Sequence, residues 1–426
     1  MLIYSIIIFE DREDIMGDIY TGIDLGTDSI KIIVSEKVND KFYVLASVSS
    51  PSRGIKDGFV EDTKLAVGSV KAALKQIQDM LGVKITKAIA CIPPSNCNMD
   101  IVLGTTNVLD YNEISGNDVS NVLLDAIEGQ DFSQNELVTA MPISFTVDDT
   151  TNIKDPKGMK GSVLESRLVI STVPKEPLYR ILEVLKLSGV EVVDIAYTSV
   201  GDYYTIKNRK YDELVGAIIN IGEDSTNISI FNKGIQIKNS IVPVGSNNVD
   251  RDISYVFKSS VEDSRKIKED FAVAASNYSD SNDIWEIKVD KNNTKELNQL
   301  GVSKVVEARV REILKLAKNE IKNLTNREIR YIIITGGLSE LSGFSYLVEQ
   351  EFGFVAKVCN INVMGIRNNK YSSCYGIIKY FDDKLSLRGK QYKMFTNEDI
   401  ETMLAVDSEV ASENMISKVF GHFFER

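Results

Sequence analysis

Scarcity is the first guide to this chain. Its 426 residues include a single histidine, His422, close to the end. A two-histidine metal site is therefore excluded, and a Ser-His-Asp triad lacks a suitable base. Four cysteines (Cys91, Cys97, Cys359 and Cys374) show neither a C-x-x-C pair nor zinc-finger spacing, so they read as reduced thiols of a cytosolic protein. No G-x-x-x-x-G-K-[ST] loop and no G-x-G-x-x-G fingerprint occurs, which removes the Walker and Rossmann phosphate sites. Basic charge is also short: the net charge is −12 and the pI is near 4.9, so non-specific nucleic-acid binding is not expected.

Long apolar runs are missing as well. Leu2 to Phe9 is apolar but far short of the ~18 residues a spanning helix needs. It lacks a basic flank and runs into Glu10, Asp11, Glu13 and Asp14, unlike a signal peptide. Residues 1–15 are thus expected to precede the natural start, with the compact part beginning at Met16-Gly17; a short interfacial anchor is the competing reading. With so few alternatives, any chemistry falls to carboxylates, hydroxyls, lysines and a bound ion.

What is present is a repeated hairpin. Ile19 to Val34 reads as two apolar runs around the polar turn Gly26-Thr27-Asp28-Ser29. Glycine lets backbone N–H groups approach a ligand, and Thr27 and Ser29 add hydroxyls, a combination suited to phosphate. Asp24, just before the turn, is placed to hold Mg²⁺ through water. One such turn is weak evidence. The 196 positions that separate Gly26 from Gly222 also bring Asp28 onto Asp224, Ser29 onto Ser225 and Ile32 onto Ile228 without a gap. Two related halves, each with a phosphate-facing hairpin, imply one nucleotide clamped between them. With 43% hydrophobic residues the chain has ample material for more than one core.

Helical spacing marks Thr63 to Leu81, Asp118 to Ile127, Pro177 to Leu187, Val249 to Phe257, Glu262 to Ala275 and Thr294 to Leu324. Strand-like pieces around Asp118 to Ile127 suggest a small inserted α+β subdomain over 98–172, inside which Ile153 to Gly161 is a Pro/Gly turn with no sign of catalysis. Tyr331 to Thr335 is a buried strand entering Gly336-Gly337-Leu338, with a helix expected from about Ser342 to Glu351. The double glycine suits a flat ligand, and the helix N-terminus favours phosphate, although a plain strand-to-helix turn has the same pattern. Residues 382–411 are polar with scattered apolar residues and read as a flexible tether. In 412–426, Met415, Ile416, Val419, Phe420, Phe423 and Phe424 fall on one helical face, an in-plane membrane anchor unless that face docks on the body or a partner.

These residues place the chain in resemblance to the superfamily of actin, heat-shock chaperone ATPases and sugar kinases. GIDLGTDSIK, INIGEDSTNISIF and IIITGGLSELSGF stand in its phosphate-1, phosphate-2 and adenosine order. Within it, Pro142 to Gly161 with its IKDP-x-GM-x-G segment, Met364 to Tyr380 and the terminal amphipathic helix resemble the FtsA family of bacterial cell-division proteins.

The resemblance implies an α/β, actin-like duplicated ATPase fold with two lobes. Its expected parts are subdomain 1A over 16–97 and 173–210, inserted subdomain 1C over 98–172, 2A over 211–244 and 325–381, and 2B over 245–324. It implies ATP and Mg²⁺ as ligands, filament formation with its own copies, a place at the inner membrane face of the division site, the FtsZ C-terminal peptide as partner through 2B, and other divisome proteins. By position, Asp24, Gly26, Thr27, Asp28, Ser29 and Lys31 would meet phosphate and metal. Asn220, Gly222, Glu223, Asp224, Ser225 and Thr226 would form the opposing hairpin, Lys268 would lie near ribose or base, and Gly336, Gly337 and Leu338 would border the adenosine. Departures exist: Asn220 replaces the usual Asp, Glu223-Asp224 replace small residues, and Arg265 stands where the family often has Glu. An amide cannot serve as a base, so slow or absent ATP turnover is expected. The competing assignments are a PilM-like pilus scaffold, which should lack IKDP-x-GM-x-G and the terminal helix, and a small-molecule kinase, for which no acceptor base is evident. A heat-shock-type chaperone lacks the chain length for a peptide-binding domain.

Overall fold

In this computed structural model, residues 18–288 and 294–413 are described. The first sheet is built from β1 (Asp18–Leu25), β2 (Ser29–Val38), β3 (Lys41–Pro51) and β4 (Lys87–Ile92). The chain then forms β5 (Asn98–Asn107), β6 (Asn135–Val147), β7 (Thr150–Ile153) and β8 (Val163–Pro174), and returns to the first sheet with β9 (Glu191–Tyr197). The later strands are β10 (Val215–Ile221), β11 (Thr226–Asn232), β12 (Ile235–Val242), β13 (Ile284–Lys288), β14 (Thr294–Asn298), β15 (Tyr331–Thr335) and β16 (Ala356–Val358).

Spatial order exposes the duplication. The first sheet runs β9-β4-β1-β2-β3 and the second runs β16-β15-β10-β11-β12, each with an antiparallel meander on one side and parallel strands on the other. The agreement extends to register. Leu25 pairs with Ile30 at the end of one hairpin, and Ile221 with Thr226 at the end of the other, the same 196-residue offset as in the sequence. β1 is buried along nearly its whole length because the sheet is covered on both faces, which is why it reads as a continuous apolar run.

Helix α1 (Thr63–Leu81) covers the first sheet with Ala66, Val70, Ala73 and Ile77. Its start is fixed by Asp62, which accepts from the Leu65 N–H at 2.9 Å, and its end by Gly82 in the left-handed region. Helix α2 (Gly116–Glu128) backs the separate sheet β5-β8-β6-β7 and is opened by a Ser115/Asp118 capping box. Helices α3 (Lys175–Leu187) and α4 (Thr198–Ile206) follow. The second sheet is covered by α5 (Ser246–Phe257), α6 (Val261–Asp270), α7 (Gln299–Leu324) and α8 (Phe344–Phe352). Among the described residues three hydrophobic cores result, centred on the three larger sheets, and the first also takes in Ile218, Phe231 and Ile333 of the second sheet.

The halves are joined by two helices. α4 leads from the first sheet to the second, and α9 (Ser372–Leu387) leads back. They cross at Gly201 and Gly376, where a Cβ on Gly376 would lie 1.7 Å from the Gly201 carbonyl oxygen. Only hydrogen fits there.

Several local expectations fail for identifiable reasons. Residues 294–298 are a strand paired with β13, not the first turn of a helix; Asn298 accepts from the Gly301 N–H and starts α7 afterwards. α6 stops at Asp270, because the following Ala272, Ala274 and Ala275 turn inward to the core. Gly337–Glu340 forms a 3₁₀ turn, so the helix after the double glycine starts only at Phe344.

The tether expected over 382–411 is the main correction. α9 continues to Leu387, and α10 spans Asn397–Glu413. Between them Met394 and Phe395 are buried on the first half, and the Met394 sulfur accepts from the Thr21 N–H at 3.3 Å. Tyr392 packs edge-on against Phe381. These apolar residues are too few, in a short polar stretch, to form a periodic signal, yet each meets preformed core. The extension at 1–15 and the anchor residues Met415, Ile416, Val419, Phe420, Phe423 and Phe424 lie outside the described residues. No helix among the described residues is long and apolar enough to cross a membrane.

Candidate functional site

A cleft of about 850 Å³ opens between the two sheets, and both hairpins face it. From the first hairpin Asp24, Gly26, Thr27, Asp28, Ser29 and Lys31 line the cleft. From the second come Asn220, Gly222, Glu223, Asp224 and Ser225, with Lys268, Gly336, Gly337 and Leu338 further along. Thr226 is the exception. It is buried on the strand, where its hydroxyl donates to the Val244 carbonyl at 2.7 Å. Alternation along β11 turns it away, and Asn227, one residue on, reaches the cleft instead.

Each turn is closed by the same bond. The Gly26 N–H donates to the Ser29 carbonyl at 3.2 Å, and the Gly222 N–H to the Ser225 carbonyl at 2.9 Å. Thr27 accepts from the Gly58 N–H at 3.1 Å, so its hydroxyl oxygen is already engaged by its own loop. Gly336 is needed for packing against the second hairpin: φ is +96°, and a Cβ there would stand 2.2 Å from the Ile221 carbonyl oxygen.

Charge is distributed unequally. Asp24 and Lys31 are cross-strand partners, with Nζ 3.2 Å from Oδ2. Burial opposes the Lys31 charge, but Asp24 outweighs it and holds the ammonium above its ordinary value. The corresponding pair in the second hairpin is Asn220 and Asn227. Behind it lies an acid that sequence reasoning missed. Asp202 on α4 accepts from the Asn220 amide at 2.7 Å, from Ser372 at 2.5 Å and from Ser373 at 2.8 Å. Burial pushes its carboxyl up to about 6 despite those donors. A lone carboxylate within the otherwise uncharged stretch TSVGDYY was the only available hint.

Lys268 does reach the cleft, but it is anchored from below. Its ammonium donates to Ser246 at 2.6 Å and to the fully buried Asp250 at 2.9 Å. Arg265, on the same helix, donates to Asp28 at 2.6 Å and to Glu223, linking the two hairpins. Burial pushes the Glu223 carboxyl up to about 7 against the pull of Arg265 and Lys268. Asp28, Asp57, Glu223, Asp224, Glu269, Asp270 and Glu340 join Asp24 in the cleft wall, so carboxylates outnumber its lysines. Among the described residues no group of three or more His, Cys, Asp or Glu forms a ready-made metal cage. Asp24 fits Mg²⁺ held by few carboxylates and several waters, since its carboxylate lies on the cleft wall beside the phosphate-type turn.

Comparison with known proteins gives this geometry its context. The family model described as "Cell division protein FtsA" matches residues 217–376, and that described as "SHS2 domain inserted in FTSA" matches residues 96–172. The cell division protein FtsA of Bacillus subtilis (strain 168) is 27% identical over 395 residues, covering 92% of this chain and 90% of the relative. That of Streptococcus pneumoniae is 27% identical over 365 residues, covering 85% and 79%. Among solved structures, the PilM-PilN type IV pilus biogenesis complex is similar at a TM-score of 0.57 and 12% identity, covering 85% of this chain and 98% of that one. MreB5 of Spiroplasma citri bound to ADP is similar at 0.53 and 12%, covering 87% and 98%. The structural likenesses establish the actin-like α/β fold and nothing finer. Two family models that together span more than half the chain, and relatives aligned along most of it, establish the rest: the chain belongs to the FtsA family of cell-division proteins.

Proposed function

We propose that this chain is an ATP-binding, actin-like cell-division scaffold that polymerises at the inner membrane face and tethers FtsZ to the membrane at the septum. The observation that carries the proposal is the pair of hairpins in identical register, facing each other across one cleft. The backbone N–H groups and hydroxyls of Thr27 and Ser29 on one side, and of Ser225 on the other, suit the phosphates of a nucleotide. The MreB5 neighbour with ADP, and another with AMPPNP, support nucleotide as the ligand class.

Asp24 would hold Mg²⁺ through water. When bound, that ion would neutralise phosphate charge in a cleft that is itself acidic. Lys31 holds Asp24 in place through their ion pair, while Lys268, fixed by Asp250, faces the sugar end. Gly337, where a Cβ would meet nothing within 4 Å, leaves room for a flat base against the backbone, while Gly336 packs on the second hairpin. Hydrolysis is a different matter. Asn220 cannot take a proton from water, and Asp202 is buried with its oxygens engaged by Asn220, Ser372 and Ser373. Nucleotide therefore acts as a switch with slow or absent turnover.

In this reading 98–172 is subdomain 1C, 245–324 is subdomain 2B and takes the FtsZ C-terminal peptide, and 412–426 is the membrane-targeting helix. Filaments would multiply weak single anchors through avidity. Incubating the full chain with radiolabelled ATP and Mg²⁺, and following bound nucleotide and ADP in one sample, tests the core of the proposal. Binding with little conversion is expected. Brisk conversion would overturn the switch, and no binding would overturn the nucleotide cleft.

A further inference from the structure

Arg265 has an unusual position beside the cleft, paired with two carboxylates of its wall. It projects from α6 of the second half, yet its guanidinium reaches carboxylates on three separate segments. Nη1 is 2.6 Å from Asp28 of the first hairpin, Nη2 contacts Glu223 of the second, and Nε is 3.6 Å from Asp250 on α5. Among the described residues it is the cation that pairs with both hairpin turns.

The three contacts are unequal. The Glu223 and Asp250 side chains are 12% and 0% exposed, whereas Asp28 is 47% exposed. Solvent screens an exposed pair and leaves it with little net stability, so the arm to Asp28 yields first. The other arms keep Arg265 with the second half. The cleft lysines nearest the two hairpins are already committed, Lys31 to Asp24 and Lys268 to Asp250. A guanidinium forked between two turns built for phosphate matches phosphate oxygens as well as carboxylate.

We propose that Arg265 is a latch between the two hairpins that a nucleotide polyphosphate opens, drawing the guanidinium from Asp28 onto its own oxygens. The proposal rests on the nucleotide reading of the cleft. Phosphate binding and release of the first hairpin are then one event, because the same fork cannot serve both acceptors. Glu223 holds Arg265 at the phosphate turn while Asp28 is let go.

The test uses the full chain and a fluorescent ATP analogue with Mg²⁺, in wild type, D28N, R265A and the double variant. D28N should bind about two- to five-fold tighter, since a competitor for the fork is removed. R265A should bind about ten-fold weaker, the loss of a charge-assisted phosphate contact. The decisive reading is the double variant, in which the D28N gain should vanish because no fork remains to be freed. A gain that persists without Arg265 reflects bulk charge alone and overturns the latch. Hydrogen exchange of the ligand-free chain gives a readout without nucleotide: residues 24–31 and 220–227 should exchange faster in D28N and R265A. Unchanged exchange in both overturns the latch even where nucleotide binds. A wild type that binds no analogue overturns the nucleotide reading itself, and the displacement with it.

Discussion

The two hairpins share one backbone and differ in how they handle charge. In the first, Asp24 faces Lys31 across the strands, and the pair is neutral together at the cleft wall. In the second, the same two places hold Asn220 and Asn227, and the acid has moved back to Asp202 on a helix. Register depends on the apolar alternation and the turn, which the halves share. Polar function depends on a few side chains that can change without moving the strands. Duplication thus preserved the frame while the halves diverged in chemistry: one pairs a carboxylate with an ammonium, the other holds an amide against a buried acid.

The largest effect should come from breaking the junction that keeps the hairpins opposed. Gly376→Val places carbon against the Gly201 carbonyl, where a Cβ alone would be at 1.7 Å. Backbone cannot give way cheaply there, and a loss of about 3 kcal/mol or more is expected in chemical denaturation. A variant with unchanged stability would mean that the halves are not locked at this crossing.

Copying the second hairpin into the first comes next. Asp24→Asn leaves Lys31 largely buried without its carboxylate, at a cost of about 2 kcal/mol. It should also erase the Mg²⁺-dependent part of nucleotide affinity. Retained Mg²⁺ dependence would remove Asp24 from the metal's surroundings.

The reverse copy, Asn220→Asp, is milder and depends on pH. It would set a second carboxylate where the Asn220 amide lies 2.7 Å from Asp202, whose own carboxyl is already pushed up to about 6. An acid with a folded-state pKa above its unfolded value binds protons on folding. Its stabilising share is present at low pH and is lost as pH rises through the folded value. Wild type should therefore weaken between about pH 4 and pH 7, through Asp202 and through Glu223 at about 7. Asn220→Asp should steepen that fall by about 1 kcal/mol, and Asp202→Asn should flatten it. Matching pH profiles for all three would dissolve the contrast between the hairpins. In the double variant N220D/D202N, faster ATP conversion would identify position 220 as the missing carboxylate.

Much of the frame was legible because it is local or periodic. The gapless match of Gly22–Ile32 to Ile218–Ile228 announced two equivalent hairpins, and the strand register repeats that offset. The turn reading puts most of the named residues at the cleft, where they do lie, since a turn exposes its own tip. It failed at Thr226, where the side chain belongs to the strand and faces inward. The tether failed for the opposite reason: Tyr392, Met394 and Phe395 have no pattern of their own and become apolar anchors only beside Phe381 and Thr21.

By itself the sequence determined the duplicated α/β frame, the two turns and the kinds of group available to a phosphate, because these follow from spacing along the chain. Tertiary structure decided who neutralises whom. Asp202 meets Asn220 across 18 positions, Met394 meets Thr21 across 373, and Arg265 meets Asp28 across 237. Coulomb and hydrogen-bond energies fall off over a few ångströms of space, and separation along the sequence gives no measure of that distance.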